Sequence, residues 1–130
     1  MKGVLFIIIY LLMSFPCYSK WKKVHEDKIF AEYFELDTVK KIGNIIHIWS
    51  LIDYKEPQNN GNLSTKYYSI YDCEKKKYKV LSIIEYKTNM GRGRDFRYTK
   101  NITNELINEN WVYPSLDSKD YFKTISICSP

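Results

Sequence analysis

Alternating apolar and polar residues run along most of the chain and predict β-strands. Trp21–Val24 begins this pattern, and Ile29–Leu36 continues it with Phe30 and Phe34 on one face. Ile45–Ile52 is apolar on both faces, which is typical of a strand in the middle of a sheet that is covered on both sides. Gly43 and its neighbours mark a reversal, after which the strand pattern resumes at Ile45.

Two further strand patterns are separated by a short charged segment. Ser64–Cys73 and Tyr78–Tyr86 are rich in residues that favour strands, and the segment between them predicts an antiparallel hairpin. Phe96–Lys100 indicates one more strand at the edge of the sheet. In contrast, Asp37 and Thr38 form a sequence that can cap a helical turn.

The end of the chain has the signature of a short helix. Ser118 can cap it, Asp120 falls in its first turn, and Phe122, Ile125 and Cys128 recur at a spacing of three. This spacing predicts that Cys128 lies on the buried face. We therefore expect an α+β fold, in which a C-terminal helix packs on an antiparallel sheet of about five to six strands.

The first residues resemble a secretory signal. Lys2 precedes about ten apolar residues, a run shorter than the roughly 20 that span a bilayer, and Cys17-Tyr18-Ser19 provides small residues before a cleavage point. We interpret residues 1–19 as a signal peptide and residues 20–130 as a single exported domain, either periplasmic, secreted or at the cell surface. An uncleaved membrane anchor and lipidation at Cys17 are the alternatives.

The charge of the chain is modestly basic and spread along its length. The formal net charge is +5, and Lys2 is the only charged residue of the expected signal. The densest basic groups are Lys75–Lys79 and the arginines Arg92, Arg94 and Arg97. Dispersed charge of this size is typical of a solvated surface, so we expect no nucleic-acid partner.

The cysteines predict one disulfide. If Cys17 leaves with the signal, Cys73 and Cys128 remain as an even pair, which in an exported domain is most simply a bridge. His25 and His47 lie far apart and have no metal-ligand spacing, so we expect no metal site. Haem could use a histidine or Met90 as an axial ligand, but no attachment motif is present. No nucleophile has a recognisable base partner, and we expect no enzyme activity.

The order of these features resembles the surface-adhesin protein E family. The matching elements cover nearly all of the expected mature chain: Trp21, Tyr33–Val39 before a glycine turn, Ile48–Tyr54, Ser64–Lys66 leading to Tyr71–Cys73, Met90–Gly93, Trp111 with Pro114, and the final Cys128. The resemblance implies a sheet of about six antiparallel strands, to which a disulfide joins the C-terminal helix.

The resemblance also implies a function. The family's named member is an outer-membrane adhesin that binds host extracellular-matrix proteins, and haem binding and dimerisation are associated with it. We therefore expect a binding domain of the bacterial envelope with a protein partner, possible homodimerisation, and no required cofactor. A periplasmic small-molecule or haem binder and a structural envelope protein are the alternatives.

Tyrosines are the sequence's candidates for a partner-binding surface. Tyr67, Tyr68, Tyr71, Tyr78 and Tyr86 cluster in the predicted hairpin. A tyrosine offers a large contact area with a polar tip, and this residue type is enriched at protein interfaces. The alternative, which we favour for most of them, is that these tyrosines only line a thin core between the sheet and the helix.

Overall fold

The computed structural model describes residues 21–94, 96–100 and 111–129. Within these residues, six antiparallel strands form one sheet in chain order, and the expected fold class is confirmed. The strands are β1 (Trp21–Glu26), β2 (Phe30–Ile42), β3 (Ile45–Tyr54), β4 (Ser64–Asp72), β5 (Lys77–Tyr86) and β6 (Phe96–Lys100), and the helix α1 spans Lys119–Cys128. The expected signal peptide and Cys17 lie outside the described residues.

The predicted hairpin of β4 and β5 is confirmed. The two strands pair from Ser64 opposite Tyr86 to Asp72 opposite Lys77, with a register shift between Tyr68 and Ser69. Asp72 accepts hydrogen bonds from the backbone N–H groups of the next turn, at Glu74 and Lys75. The carboxylate of Asp72, at the end of β4, therefore stabilises the charged turn that leads to β5.

The helical turn expected at Asp37 and Thr38 is wrong. Both residues belong to β2, which pairs with β3 on either side of an irregularity between Glu35 and Lys40. Thr38 donates its hydroxyl to the carboxylate of Glu35 at 2.9 Å, so its side chain bonds within the irregular segment instead of capping a helix. The pairing of the sheet overrides the local preference for a cap.

Helix α1 begins where the sequence predicted, but its buried face is different. The hydroxyl of Ser118 accepts a hydrogen bond from the N–H of Tyr121 at 3.1 Å, as a cap should. Phe122 is 63% exposed, whereas Thr124 is fully buried. The expectation that Phe122 lies on the buried face is therefore wrong. Ile127 and Cys128 complete the buried face with Thr124, at helical spacings of three and four.

The core lies between α1 and one face of the sheet, which we call the helix face. Phe34, Ile46, Ile48 and Tyr71 form the buried cluster, and Cys73, Tyr78, Ile127 and Cys128 pack against it. A disulfide joins Cys73, just after β4, to Cys128 at the end of α1. The predicted bridge is confirmed, and it fixes the end of the helix to the middle of the sheet.

The opposite face of the sheet carries a short 3₁₀ turn at Asn89–Gly91. The carboxylate of Asp53 accepts hydrogen bonds from the N–H of Met90 at 2.7 Å and from the side chain of Asn89 at 3.1 Å. Ser64, which is fully buried, accepts from the N–H of Gly91 at 2.8 Å. Met90 and Gly91 both have positive φ, so the turn depends on these anchors and on glycine.

Candidate binding cleft

A cleft of about 470 Å³ lies on the helix face, between α1 and the first two strands. Its size falls in the range of about 300 to 1,000 Å³ that is usual for ligand pockets. Its lining comprises Val24 and His25 of β1, Phe30, Glu32 and Phe34 of β2, Ile52 of β3, and Lys119, Asp120, Phe122, Lys123 and Ser126 of α1. Five of these eleven side chains are apolar, and the exposed surface of the lining is mostly apolar, which favours an apolar ligand group.

A bulge in β1 shapes one wall of the cleft. Lys23 lies opposite Tyr33 and His25 lies opposite Glu32, so Val24 is an extra residue between two paired positions. Side chains of consecutive residues point to opposite faces in a regular strand, but a bulge redirects one of them. This explains how both Val24 and His25 line the same cleft.

An ion pair crosses the cleft from the sheet to the helix. The ammonium group of Lys123 donates to the carboxylate of Glu32, and the two side chains are 25% and 13% exposed. The same ammonium lies 5.6 Å from the ring centroid of Phe34. Lys123 therefore contacts both a charged and an aromatic group of β2. These two contacts hold α1 beside the cleft.

The acidic groups around the cleft already have partners within the protein. Asp27 accepts hydrogen bonds from the N–H groups of Phe30 and Ile29 and contacts His25 at 3.2 Å. These contacts lower the pKa of Asp27 to about 2, with the backbone bond from Phe30 contributing most. Asp120 accepts from the hydroxyl of Tyr78 at 3.2 Å.

Three lysines near the cleft have no such partner. The ammonium groups of Lys22, Lys28 and Lys119 make no hydrogen bond or ion pair with any other residue that the structure describes. Lys119 lines the cleft itself. Lys22 lies opposite Phe34 in the pairing of β1 with β2, which places it on the helix face. These ammonium groups add positive charge at and near the cleft, beside the carboxylate of Asp120, whose partner is the uncharged hydroxyl of Tyr78.

The five candidate tyrosines do not form one surface. Tyr67, Tyr71 and Tyr78 lie on the helix face, where the rings of Tyr71 and Tyr78 stack with 5.5 Å between centroids. Tyr68 and Tyr86 lie on the opposite face. There Tyr68 packs on Trp49 at 4.9 Å between centroids, and Tyr86 lies 5.1 Å from the ammonium group of Lys66.

Burial keeps the helix-face tyrosines protonated. Removal from water raises the pKa of Tyr67 to about 12 and also raises that of Tyr71. The pKa of Tyr78 is raised by burial first and then by the carboxylate of Asp120. At neutral pH these phenols are hydrogen-bond donors, and none of them is poised as a base or nucleophile.

The two histidines lie on opposite faces of the sheet. His25 lines the cleft, whereas His47 contacts the hydroxyl of Tyr68 at 3.2 Å on the other side. They cannot serve as two axial ligands of one haem group. Within residues 21–94, 96–100 and 111–129, no group of three or more His, Cys, Asp or Glu side chains is arranged to hold a metal ion.

Sequence reasoning missed the cleft because its walls come from distant segments. Phe122 was assigned to the core by its spacing, and Glu32 and Lys123 are 91 residues apart. One usable signal was the charge of Lys123. This lysine follows Phe122 in the helix and lies outside the buried face that the sequence predicted. Nothing in the sequence paired that lysine with Glu32.

The comparisons with known proteins identify the family. No curated protein and no solved structure matches the chain significantly. No helix in the described part of the chain has the length and apolar character needed to cross a membrane. The model of the surface-adhesin protein E family matches residues 21–128, a range that includes all six strands, α1 and both cysteines of the disulfide. The chain therefore belongs to the surface-adhesin protein E family.

Proposed function

We propose that this protein is an exported, non-enzymatic binding domain that holds a protein partner at the bacterial envelope. The observation that carries the proposal is the match of the adhesin family model to residues 21–128. Family membership alone does not identify a partner, because one fold can serve several functions. The cleft beside α1 supplies the candidate site on this chain.

The surface chemistry supports binding rather than catalysis. Phe122 and Val24 are 63% and 42% exposed at the mouth of the cleft, and apolar groups at this position are suited to burial against a partner. The carboxylates nearby are held by backbone N–H groups, lysines or a tyrosine. The contacts of Asp27 lower the pKa of its carboxyl group, whereas a general acid needs a raised pKa.

A two-part experiment tests the proposal. The full-length chain is first expressed with its own N-terminus in a bacterial host, and the location of the product is followed by cell fractionation and by protease treatment of intact cells. The purified, oxidised product is then tested for binding to immobilised extracellular-matrix glycoproteins by surface plasmon resonance. We expect an exported protein with saturable binding to at least one of them. A cytoplasmic product, or an exported one that binds none, contradicts the proposal.

A further inference from the structure

We propose that the cleft binds an apolar side chain from an extended, acidic peptide segment, which pairs along the outer edge of β1. This inference names the chemistry of the partner and rests on the proposed function for the existence of a protein partner. Three features of the described residues support it: a strand edge, an apolar cavity beside that edge, and a rim of unpaired lysines.

The first feature is the outer edge of β1. β1 is the first strand of the sheet order, and within the described residues only β2 pairs with it. An edge strand presents a row of backbone N–H and C=O groups to which an extended peptide can add. Every second side chain of an added strand would point to the helix face, because side chains alternate between the faces of a sheet.

The second feature is the position of the cleft beside that edge. Val24 and His25 belong to β1 and form the wall nearest to it, while Phe122 of α1 forms the opposite wall. Phe34, only 6% exposed, contributes to the apolar floor. A leucine or phenylalanine side chain from an added strand would bury the exposed parts of Val24 and Phe122. A groove between a strand edge and a helix thus provides backbone pairing and a side-chain pocket together.

The third feature is the charge of the rim. Lys22, Lys28 and Lys119 lack partners among the described residues, whereas Glu26, Asp27 and Glu32 are all engaged. A peptide with acidic residues on either side of its apolar anchor would complement this pattern. A basic peptide would meet the unpaired ammonium groups of these lysines, whereas the nearby carboxylates already accept hydrogen bonds from the protein, so its binding is less favourable.

The test uses the full chain with its disulfide intact and a short fluorescein-labelled peptide, in which a central leucine is flanked by threonine and glutamate. Fluorescence polarisation measures binding. We expect saturable binding that weakens as the salt concentration rises. Replacing the central leucine by serine, replacing each glutamate by lysine, or methylating the backbone nitrogens on one edge should each weaken binding about tenfold or more.

Matched variants locate the site. Phe122→Ala should weaken binding of the peptide about tenfold, whereas Leu116→Ala, at a residue that is 71% exposed and outside the cleft lining, should leave it unchanged. Lys119→Glu should weaken binding, and Lys75→Glu, in the turn between β4 and β5, should not. Because Phe122 is largely exposed, its variant should fold as the wild type does, and circular dichroism checks this.

Several outcomes overturn the inference. They are the absence of saturable binding, equal binding of the glutamate and lysine peptides, and equal affinity of the wild type and Phe122→Ala. If the Phe122→Ala variant still binds matrix proteins and the peptide does not bind the wild type, this inference is overturned and the proposed function stands. If the peptide binds at the cleft but the protein binds no matrix glycoprotein, the proposed function is overturned and this inference stands.

Discussion

Cys128 at the end of α1 is bonded to Cys73 just after β4, with 5.5 Å between their Cα atoms. This bridge joins two positions that are 55 residues apart and fastens the helix over the core cluster. A cross-link of this kind restricts the unfolded chain more strongly as its loop becomes longer. The bridge acts together with the ion pair from Lys123 to Glu32, the hydrogen bond from Tyr78 to Asp120 and the packing of Ile127 on the core.

We predict that the double variant Cys73→Ser, Cys128→Ser lowers the free energy of unfolding by about 3 to 4 kcal/mol, from the chain-entropy cost of a loop of this length. Urea denaturation followed by tryptophan fluorescence measures the change. Cys17→Ser is the matched control, because that cysteine is expected to leave with the signal. Denaturation midpoints that agree between the wild type and the double variant would show that the bridge does not stabilise the fold.

We predict that Lys123→Met destabilises the protein by roughly 1 to 3 kcal/mol, since it leaves the largely buried carboxylate of Glu32 without its cation. The double variant Glu32→Gln, Lys123→Met should recover part of that loss, because it removes the unpaired charge. Urea denaturation of the four proteins gives the coupling energy. Additive effects of the two single changes would contradict a direct interaction.

An exposed ion pair provides the control for this cycle. Lys23 and Glu26 are paired at the surface with side chains 47% and 41% exposed. Solvent weakens such pairs, so Lys23→Met should lower the free energy of unfolding much less than Lys123→Met does. A larger effect here than at Lys123 would mean that burial does not set the strength of these pairs.

The strands were predictable because their signals are local. Alternation placed β2, a run that is apolar on both faces placed β3, and residues that favour strands placed the hairpin of β4 and β5. The number of cysteines indicated the bridge. The buried face of α1 was not predictable from apolar spacing, because the residue that is fully buried there is Thr124. Its hydroxyl donates to the carbonyl of Asp120 at 2.8 Å, which satisfies the polar group inside the protein.

The candidate site was less predictable than the fold. The tyrosines of the hairpin looked like one cluster in the sequence, but strand alternation divides Tyr67 and Tyr68 between two faces. The cleft depends on the extra residue Val24 in β1 and on the direction in which α1 crosses the sheet. Both are properties of tertiary packing, for which a single sequence carries no periodic signal.

Gly91 lies against the side chain of Lys66, and this contact yields a third prediction. A Cβ atom at Gly91 would come within 2.4 Å of Cε of Lys66, whereas one at Gly43 would meet nothing within 4 Å. Both glycines have φ near +60°, so alanine at either position should cost about 1 kcal/mol for the backbone alone. Gly91→Ala should cost more than Gly43→Ala, because it displaces Lys66 from the rings of Trp21 and Tyr86.

Thermal denaturation of four variants tests this reasoning. In a Lys66→Ala background the displaced side chain is gone, so the cost of Gly91→Ala should fall to that of Gly43→Ala. If Gly91→Ala costs the same in both backgrounds, the contact with Lys66 contributes nothing. The strain would then come from the backbone of the turn alone.

Asp27 makes the stability of the fold depend on pH, because its carboxylate is stabilised in the folded protein. Its pKa is about 2 in the folded protein against an ordinary value of 3.8, because the N–H groups of Phe30 and Ile29 stabilise the carboxylate. A lowered pKa stabilises the fold fully above the ordinary value, and the contribution is lost as the pH falls from about 4 to about 2.

Asp27→Asn keeps an oxygen that can accept the backbone bonds but removes the charge. We therefore predict that the wild type melts at a higher temperature than Asp27→Asn at neutral pH, and that the difference shrinks through this acid range. Calorimetry over a pH series measures it, with the exposed Asp37→Asn as the control. A difference that stays constant into strong acid would show that the charge of Asp27 plays no part.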